Sequence, residues 1–152
     1  MHQMTQQDLD DVAKIITDAA RLPLNDSAWE LWRNILRLDT LEGRPTTEQV
    51  QRFRAMTPEQ QSAHLRHKND HADDGPMFGY LKRAHPHASD ADIRSAIMEA
   101  VRFQDDCSRF FRWEGDYWDC IVRAVAQAQR KHPHFLDETY HKARNYLAYL
   151  WK

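Results

Sequence analysis

The chain of 152 residues is 41% hydrophobic and 29% charged, which excludes a disordered chain and predicts one domain, 1–152, with its own core. Its formal net charge of −2 gives no general attraction to nucleic acid or to an anionic membrane. No segment approaches the about 18 apolar residues of a membrane span, and the N-terminus lacks the pattern of a secretory signal. The 2 cysteines suit a reducing compartment, so we predict a cytoplasmic protein.

The apolar residues follow a helical period in every segment, and no alternating run of β-branched residues offers a strand. The 4 glycines and 6 prolines mostly separate these segments, as expected of a helical chain. We therefore predict an all-α fold, a compact bundle of about six or seven helices with a C-terminal three-helix antiparallel core.

Two helices are predicted at the start of the chain. Thr5 and Asp8 have the spacing of a capping box, and Pro23 ends the first helix. The second runs to about Leu38 and is apolar on more than one side, which indicates a central position. Its N-cap is predicted to be one of three adjacent polar residues, Asn25, Asp26 or Ser27.

Trp29 and Trp32 lie three residues apart on this second helix. Two tryptophans at that spacing could line a ligand pocket, but large aromatic side chains more usually anchor a core. We favour the core for both.

Two short helices are predicted next, and Thr57-Pro58-Glu59 is a strong start signal for the second of them. Two short helices joined so tightly could form a helix-turn-helix, as in a DNA-binding regulator. The segment offers little to phosphate besides Arg66 and Lys68, so we favour a structural hairpin.

The segment 89–151 is typical of three consecutive amphipathic helices, which we take as the core of the fold. Ser89 and Asp92 start the longest, which is predicted to run to about Arg112. Residues three and four apart define its inward face: Ile93, Ala96, Ile97, Ala100, Phe103, Cys107, Phe110 and Phe111.

Trp113-Glu114-Gly115 breaks the pattern, and Asp116 caps a helix to about Lys131. A third helix starts between Pro133 and Asp137. The residues predicted to face inward on these two helices are Tyr117, Trp118, Ile121, Val122, Ala124, Val125 and Ala128, then Leu136, Tyr140, Ala143, Leu147 and Leu150, with Tyr146, Tyr149 and Trp151 widening the apolar side. If the chain turns back at this break, Cys107 and Cys120 are buried, reduced thiols at similar height.

Other polar side chains of this segment are predicted to be solvated. The outer face of the long helix carries a charged set whose members pair in opposite sign, Arg102, Asp105, Asp106 and Arg109. His132 lies beside a proline at a helix boundary, where a histidine often caps a helix or lies in water.

One passage is chemically unusual. His64, His67 and His71 have spacings of three and four and could share one helical face. Histidine nitrogens suit zinc or another first-row transition metal, but the outer two would lie about 10 Å apart along the axis, a long reach for one metal. We favour a solvated helix end and predict no cofactor.

The chain contains no catalytic motif of a known class, so we predict a non-enzymatic protein. A small helical protein rich in aromatics most often acts through protein–protein interaction, as an adaptor, a regulator, or an inhibitor or immunity-type partner. The partner is unidentified, and a homo-oligomer is compatible with the sequence. The alternative is a metal-binding protein that uses His64, His67 and His71, and a DNA-binding regulator is a weaker alternative.

We expect no stoichiometric metal in protein purified without a histidine tag, because the three histidines are too far apart to bind one ion tightly. Elemental analysis of wild type and His67→Ala checks this. Stoichiometric zinc, iron or nickel that disappears in His67→Ala would establish the metal-binding alternative.

Overall fold

The fold is known from a computed structural model, which describes residues 4–42, 47–61 and 76–151. These residues are all-helical and contain no strand, which confirms the predicted fold class. None of the described helices is long and apolar enough to cross a membrane. The helices are α1 (Gln6–Ala20), α2 (Leu24–Arg33), α3 (Ile35–Glu42), α4 (Thr47–Arg54), α5 (Pro76–Ala84), α6 (Asp90–Arg109), α7 (Tyr117–Lys131) and α8 (Asp137–Leu150), and residues 58–61 are helical as well.

Several helices begin where local sequence predicts. Thr5 and Asp8 form a complete capping box, in which each side chain accepts the backbone N–H of the other residue, at 3.1 Å and 3.0 Å. Ser89 and Asp116 cap α6 and α7, each accepting the N–H three residues ahead at 3.1 Å and 3.2 Å. These bonds satisfy N–H groups that have no partner within the helix.

The second helix differs from the prediction in length and in its cap. It ends at Arg33, and a turn at Asn34 separates it from α3. Pro23 occupies its N-cap position, and both Asp26 and Ser27 are buried inside the helix. The sequence analysis also assigned no helix to the segment that forms α5. With this helix and the split of the second one, the described residues contain eight named helices.

The buried Asp26 carboxylate bonds to the start of a different helix. Its Oδ1 accepts the backbone N–H of Leu136 at 2.8 Å and the hydroxyl of Thr139 at 2.6 Å. Leu136 is the N-cap residue of α8, and its apolar side chain cannot accept a hydrogen bond. An aspartate on α2 therefore binds the N-terminal end of α8 through the N-cap residue and through Thr139 in the first turn.

The core involves both halves of the chain. Helix α2 packs against α6 more extensively than any other pair among the described helices, and it also contacts α1, α5 and α8. Trp29 on α2 is fully buried, and its Nε1 donates to Gln104 Oε1 on α6 at 3.0 Å. Trp29 is therefore a core residue, as predicted, and Trp32 packs partly buried against the core.

The predicted inward faces of α7 and α8 are wrong at their ends. Trp118, Leu136 and Leu150 are 43%, 43% and 47% exposed, and Tyr149 and Trp151 are exposed too. Helix α6 ends at Arg109 rather than about Arg112, so it offers less surface beside the first turn of α7. The apolar spacing continues into the ends of α7 and α8, but within the described residues these side chains stay exposed.

Both cysteines are free and buried, as predicted. Burial, together with the charge of neighbouring Asp106, raises the pKa of the Cys107 thiol to about 12. The reactive thiolate of Cys107 is therefore scarce at neutral pH.

Phe103→Ala is expected to destabilise the protein by about 3–5 kcal/mol, because it leaves a cavity in the core. The Phe103 ring is fully buried and lies 4.9 Å from the Phe135 ring and 5.5 Å from the Tyr140 ring, between centroids. Urea unfolding measures the change. Phe110→Ala is the control, since Phe110 caps the same helix but is only partly buried. Equal losses in the two variants would contradict the assigned core.

Candidate functional site

Exposed aromatic residues gather where the end of α6, the start of α7 and the end of α8 meet. The chain leaves α6 at Phe110 and turns at Gly115, whose φ of 87° is a conformation that favours glycine. Asp116 then caps α7. This short connection brings Trp113 close to Tyr117.

The aromatic rings of this region contact one another through buried Phe111. Its ring stacks on Trp151 at 4.9 Å and meets the ring edges of Trp113 at 5.1 Å and Tyr117 at 6.3 Å, between centroids. Trp113 in turn stacks on Tyr117 at 5.0 Å. Trp113 is 62% exposed and Trp151 is 40% exposed. We call Trp113, Tyr117 and Trp151 the aromatic surface.

Hydrogen bonds hold the aromatic surface in place. The Tyr117 hydroxyl donates to the backbone carbonyl of Ala148 at 2.6 Å, which joins the start of α7 to the end of α8. Glu114 N–H donates to the Cys120 sulfur at 3.2 Å, and the Cys120 thiol donates to the Glu114 carbonyl at 3.3 Å. The Arg123 guanidinium also donates to this carbonyl. The connection that carries Trp113 is therefore fixed to α7.

His132 is the C-cap residue of α7, one of the two predicted outcomes, and its side chain is buried rather than in water. Its Nδ1 lies 2.7 Å from Glu99 Oε1 and its Nε2 lies 2.8 Å from Asp106 Oδ2. Both ring nitrogens therefore lie within hydrogen-bond distance of carboxylates on α6. Asp106 is therefore not a solvated residue of the outer face, as its side chain is only 14% exposed.

The arrangement of His132 suits a structural role better than acid–base catalysis. Its ring centroid lies 6.0 Å from that of Phe103, and its side chain is 9% exposed. Both ring nitrogens are occupied by carboxylates of α6, so neither is available to a substrate. His132 joins the end of α7 to the middle of α6.

A charged cleft of about 260 Å³ lies beside α1, α2 and α3. Its charged lining residues balance in sign: Asp11, Asp18 and Glu30 against Lys14, Arg33 and Arg37. Glu30 is the most buried of the acids, and its Oε1 accepts from the Arg33 guanidinium. Lys142 Nζ lies 3.8 Å from Glu30 Oε2. Opposite charges paired in this way favour no particular sign of ligand.

The predicted metal ligands His64, His67 and His71 lie outside the described residues, as does most of the second helix of the proposed helix-turn-helix. Within 4–42, 47–61 and 76–151, no three histidine, cysteine or acidic side chains are placed to hold a metal ion. The structure therefore brings together aromatic residues that sequence analysis assigned to the core or to a break.

Trp113 is the residue that sequence reasoning missed most clearly, because it was taken only as part of a helix break. A signal was present in the sequence. A tryptophan followed by Glu114 and Gly115 stands in a polar turn, where a large apolar side chain cannot belong to a helical stripe.

His132→Ala is expected to destabilise the protein by about 2–4 kcal/mol, because it removes a buried ring that packs against Phe103 and bonds both Glu99 and Asp106. His134→Ala is the matched control, since His134 is exposed two residues away, and should change stability by less than about 0.5 kcal/mol. Thermal or urea unfolding of both variants checks the difference. Equal stabilities would show that His132 does not join α6 to α7.

Comparisons with protein families, with curated proteins and with solved structures give no match. The most distinctive feature of this chain's geometry is the aromatic surface. It combines exposed tryptophan rings with hydrogen bonds made by the neighbouring residues Glu114 and Tyr117.

Proposed function

We propose that this protein is non-enzymatic and acts by binding another protein through the aromatic surface. The observation that carries the proposal is the exposure of Trp113 and Trp151 within one set of ring contacts. Tryptophan and tyrosine are the residues that most often dominate the binding energy of protein interfaces. An adaptor, a regulator, or an inhibitor or immunity-type partner would all use such a surface.

The rigidity of the surface supports this proposal. Binding costs free energy when side chains must be ordered at the interface, and aromatic rings that already contact one another lose little freedom. Trp113 contacts two rings, and the connection that carries it is bonded to Cys120. Trp118 and Leu150 are exposed on the same two helices and would enlarge the apolar area offered to a partner.

The domain organisation and the cellular compartment are part of the same proposal. We infer that the whole chain, 1–152, forms one cytoplasmic domain in which α6, α7 and α8 make an antiparallel core layer. Contacts between α6 and α7 and between α7 and α8 support the layer. The free thiols of Cys107 and Cys120 suit a reducing compartment.

Trp113→Ala is expected to abolish capture of the native partner while leaving the fold intact, because Trp113 is mostly exposed. Tyr149→Ala is the matched control, as Tyr149 is 67% exposed but stacks on Tyr146 instead. Wild type and both variants are immobilised, and proteins retained from the source cells are identified and then purified for titration. Circular dichroism and the unfolding midpoint confirm that each variant is folded.

The decisive result is a purified partner that binds wild type and Tyr149→Ala with similar affinity and binds Trp113→Ala at least about tenfold more weakly. A partner that binds all three equally would place the interface elsewhere on the protein.

A further inference from the structure

We infer that the charged cleft binds a small zwitterion, a free amino acid, with its ammonium group at Glu30 and Asp18 and its carboxylate at Arg33. This goes beyond the proposed function and is independent of it, because no residue of the aromatic surface is among the described residues that line the cleft. Two buried polar atoms without hydrogen-bond partners support the inference, together with the charges of both signs around them.

The cleft continues beyond the cavity described above. A second cavity of about 440 Å³ adjoins the first, since Asp18, Glu30 and Arg33 line both. It extends the cleft to the start of α8, and its other lining residues are Arg21, Leu22, Glu138 and Lys142. The two volumes lie near the lower end of the about 300–1,000 Å³ typical of ligand pockets, so the cleft suits a small metabolite.

The Glu30 carboxylate has one oxygen that accepts no hydrogen bond. Glu30 is 9% exposed, and its Oε1 accepts from the Arg33 guanidinium. Within the described residues its Oε2 is buried and has no donor. Lys142 Nζ lies 3.8 Å from this oxygen, too far for a hydrogen bond, and is closer to Glu138 Oε1, at 3.1 Å. A buried carboxylate oxygen without a donor costs free energy, so Oε2 would gain from the ammonium group of a ligand.

The Arg33 guanidinium has the opposite requirement. Its Nη2 donates to Glu30, whereas its Nε is buried and has no acceptor within the described part of the chain. The guanidinium lies over the Trp29 ring, 5.6 Å from the ring centroid, and this contact and the ion pair limit its rotation. A guanidinium held in this way suits a carboxylate, which it can bind through two parallel N–H groups.

An acceptor and a donor side by side match the two charges of an amino acid. Glu30 and Arg33 lie one turn apart on α2 and bond each other, so their unpartnered atoms belong to one pair of touching groups. The ammonium and carboxylate of an α-amino acid are equally close, because one carbon joins them. Asp18 is exposed, lines both cavities and makes no ion pair among the described residues, so its carboxylate offers the ammonium a second acceptor.

Ligands with a single charge fit the cleft less well. A simple anion would approach the carboxylates of Asp18 and Glu30, and a simple cation would approach the Arg33 guanidinium. Like charges brought together in a cleft cost free energy. A metal ion is also disfavoured, since no three histidine, cysteine or acidic side chains of the described residues are placed to hold one.

The probes are the standard L-amino acids, each added at millimolar concentration to the full-length protein while the melting midpoint is measured. A ligand that binds only the native state raises this midpoint, so we expect at least one amino acid to raise it saturably. Calorimetric titration then compares the best of them with its methyl ester, which lacks the carboxylate, and with its N-acetyl derivative, which lacks the ammonium group. Each derivative should bind at least about tenfold more weakly.

Matched variants locate the binding. Arg33→Lys keeps the positive charge but removes the paired N–H groups, so it should weaken binding about tenfold. Arg94→Lys is its control, because Arg94 is also half-buried and lies over an aromatic ring, 5.7 Å from the Phe78 centroid, but does not line the cleft. Asp18→Asn should weaken binding by about two- to fivefold. Asp10→Asn, also exposed on α1 but outside the cleft, should leave binding unchanged.

Three results would each overturn this inference. If every amino acid that raises the midpoint of wild type raises that of Arg33→Lys equally, the effect is the general stabilisation that solutes give, and water fills the cleft. Equal binding of the amino acid and its two derivatives would show that one charge or neither is recognised. Equal losses in Arg33→Lys and Arg94→Lys would place the ligand elsewhere. The proposed function would survive all three, because its own test measures binding of the native partner to Trp113→Ala.

Discussion

The buried carboxylate of Asp26 is the interaction on which the arrangement of the C-terminal helix depends. It is 1% exposed and accepts a backbone N–H from Leu136 and a hydroxyl from Thr139 at the start of α8. A carboxylate is costly to bury unless donors surround it, and the positive end of a helix is among the most favourable places for it. Helix α8 is therefore held against α2 at its first residue, and its other end carries Trp151 to the aromatic surface.

Other buried polar groups fix the same region. The Tyr140 hydroxyl bonds the carbonyl oxygen of His132 and accepts the N–H of Phe135 at 3.2 Å, and burial raises the pKa of Tyr140, so that it stays protonated. The His132 ring in turn bonds two carboxylates of α6. The connection between α7 and α8 is thus hydrogen-bonded to α6 through the His132 ring and to α8 through the Tyr140 hydroxyl. Apolar contacts alone would allow these helices to slide, whereas buried hydrogen bonds select one register.

Whether a feature could be predicted from the sequence depends on how far apart along the chain its interacting residues lie. Ser89 and Asp116 were predicted as caps because a cap depends on residues three positions away, and the apolar period located Phe103 in the core. Asp26 was one of three candidate caps of its own helix, whereas the residues that it bonds lie 110 and 113 positions away. The burial of His132 and the exposure of Trp118 likewise depend on which helix lies opposite, and periodicity carries no information about that. The aromatic surface could not be predicted for the same reason, although each of its residues is conspicuous alone.

The aromatic surface joins positions that are distant along the chain, since the Phe111 ring contacts both Trp113 and Trp151. An unfolded chain or a short fragment does not contain it. A partner that binds there consequently binds the native state alone, and its binding free energy is added to the stability of the fold. The concentration of the partner would then regulate how long this protein persists in a cell, because proteases act mainly on unfolded chains. A protein of this design would accumulate where its partner is abundant and be degraded where the partner is scarce.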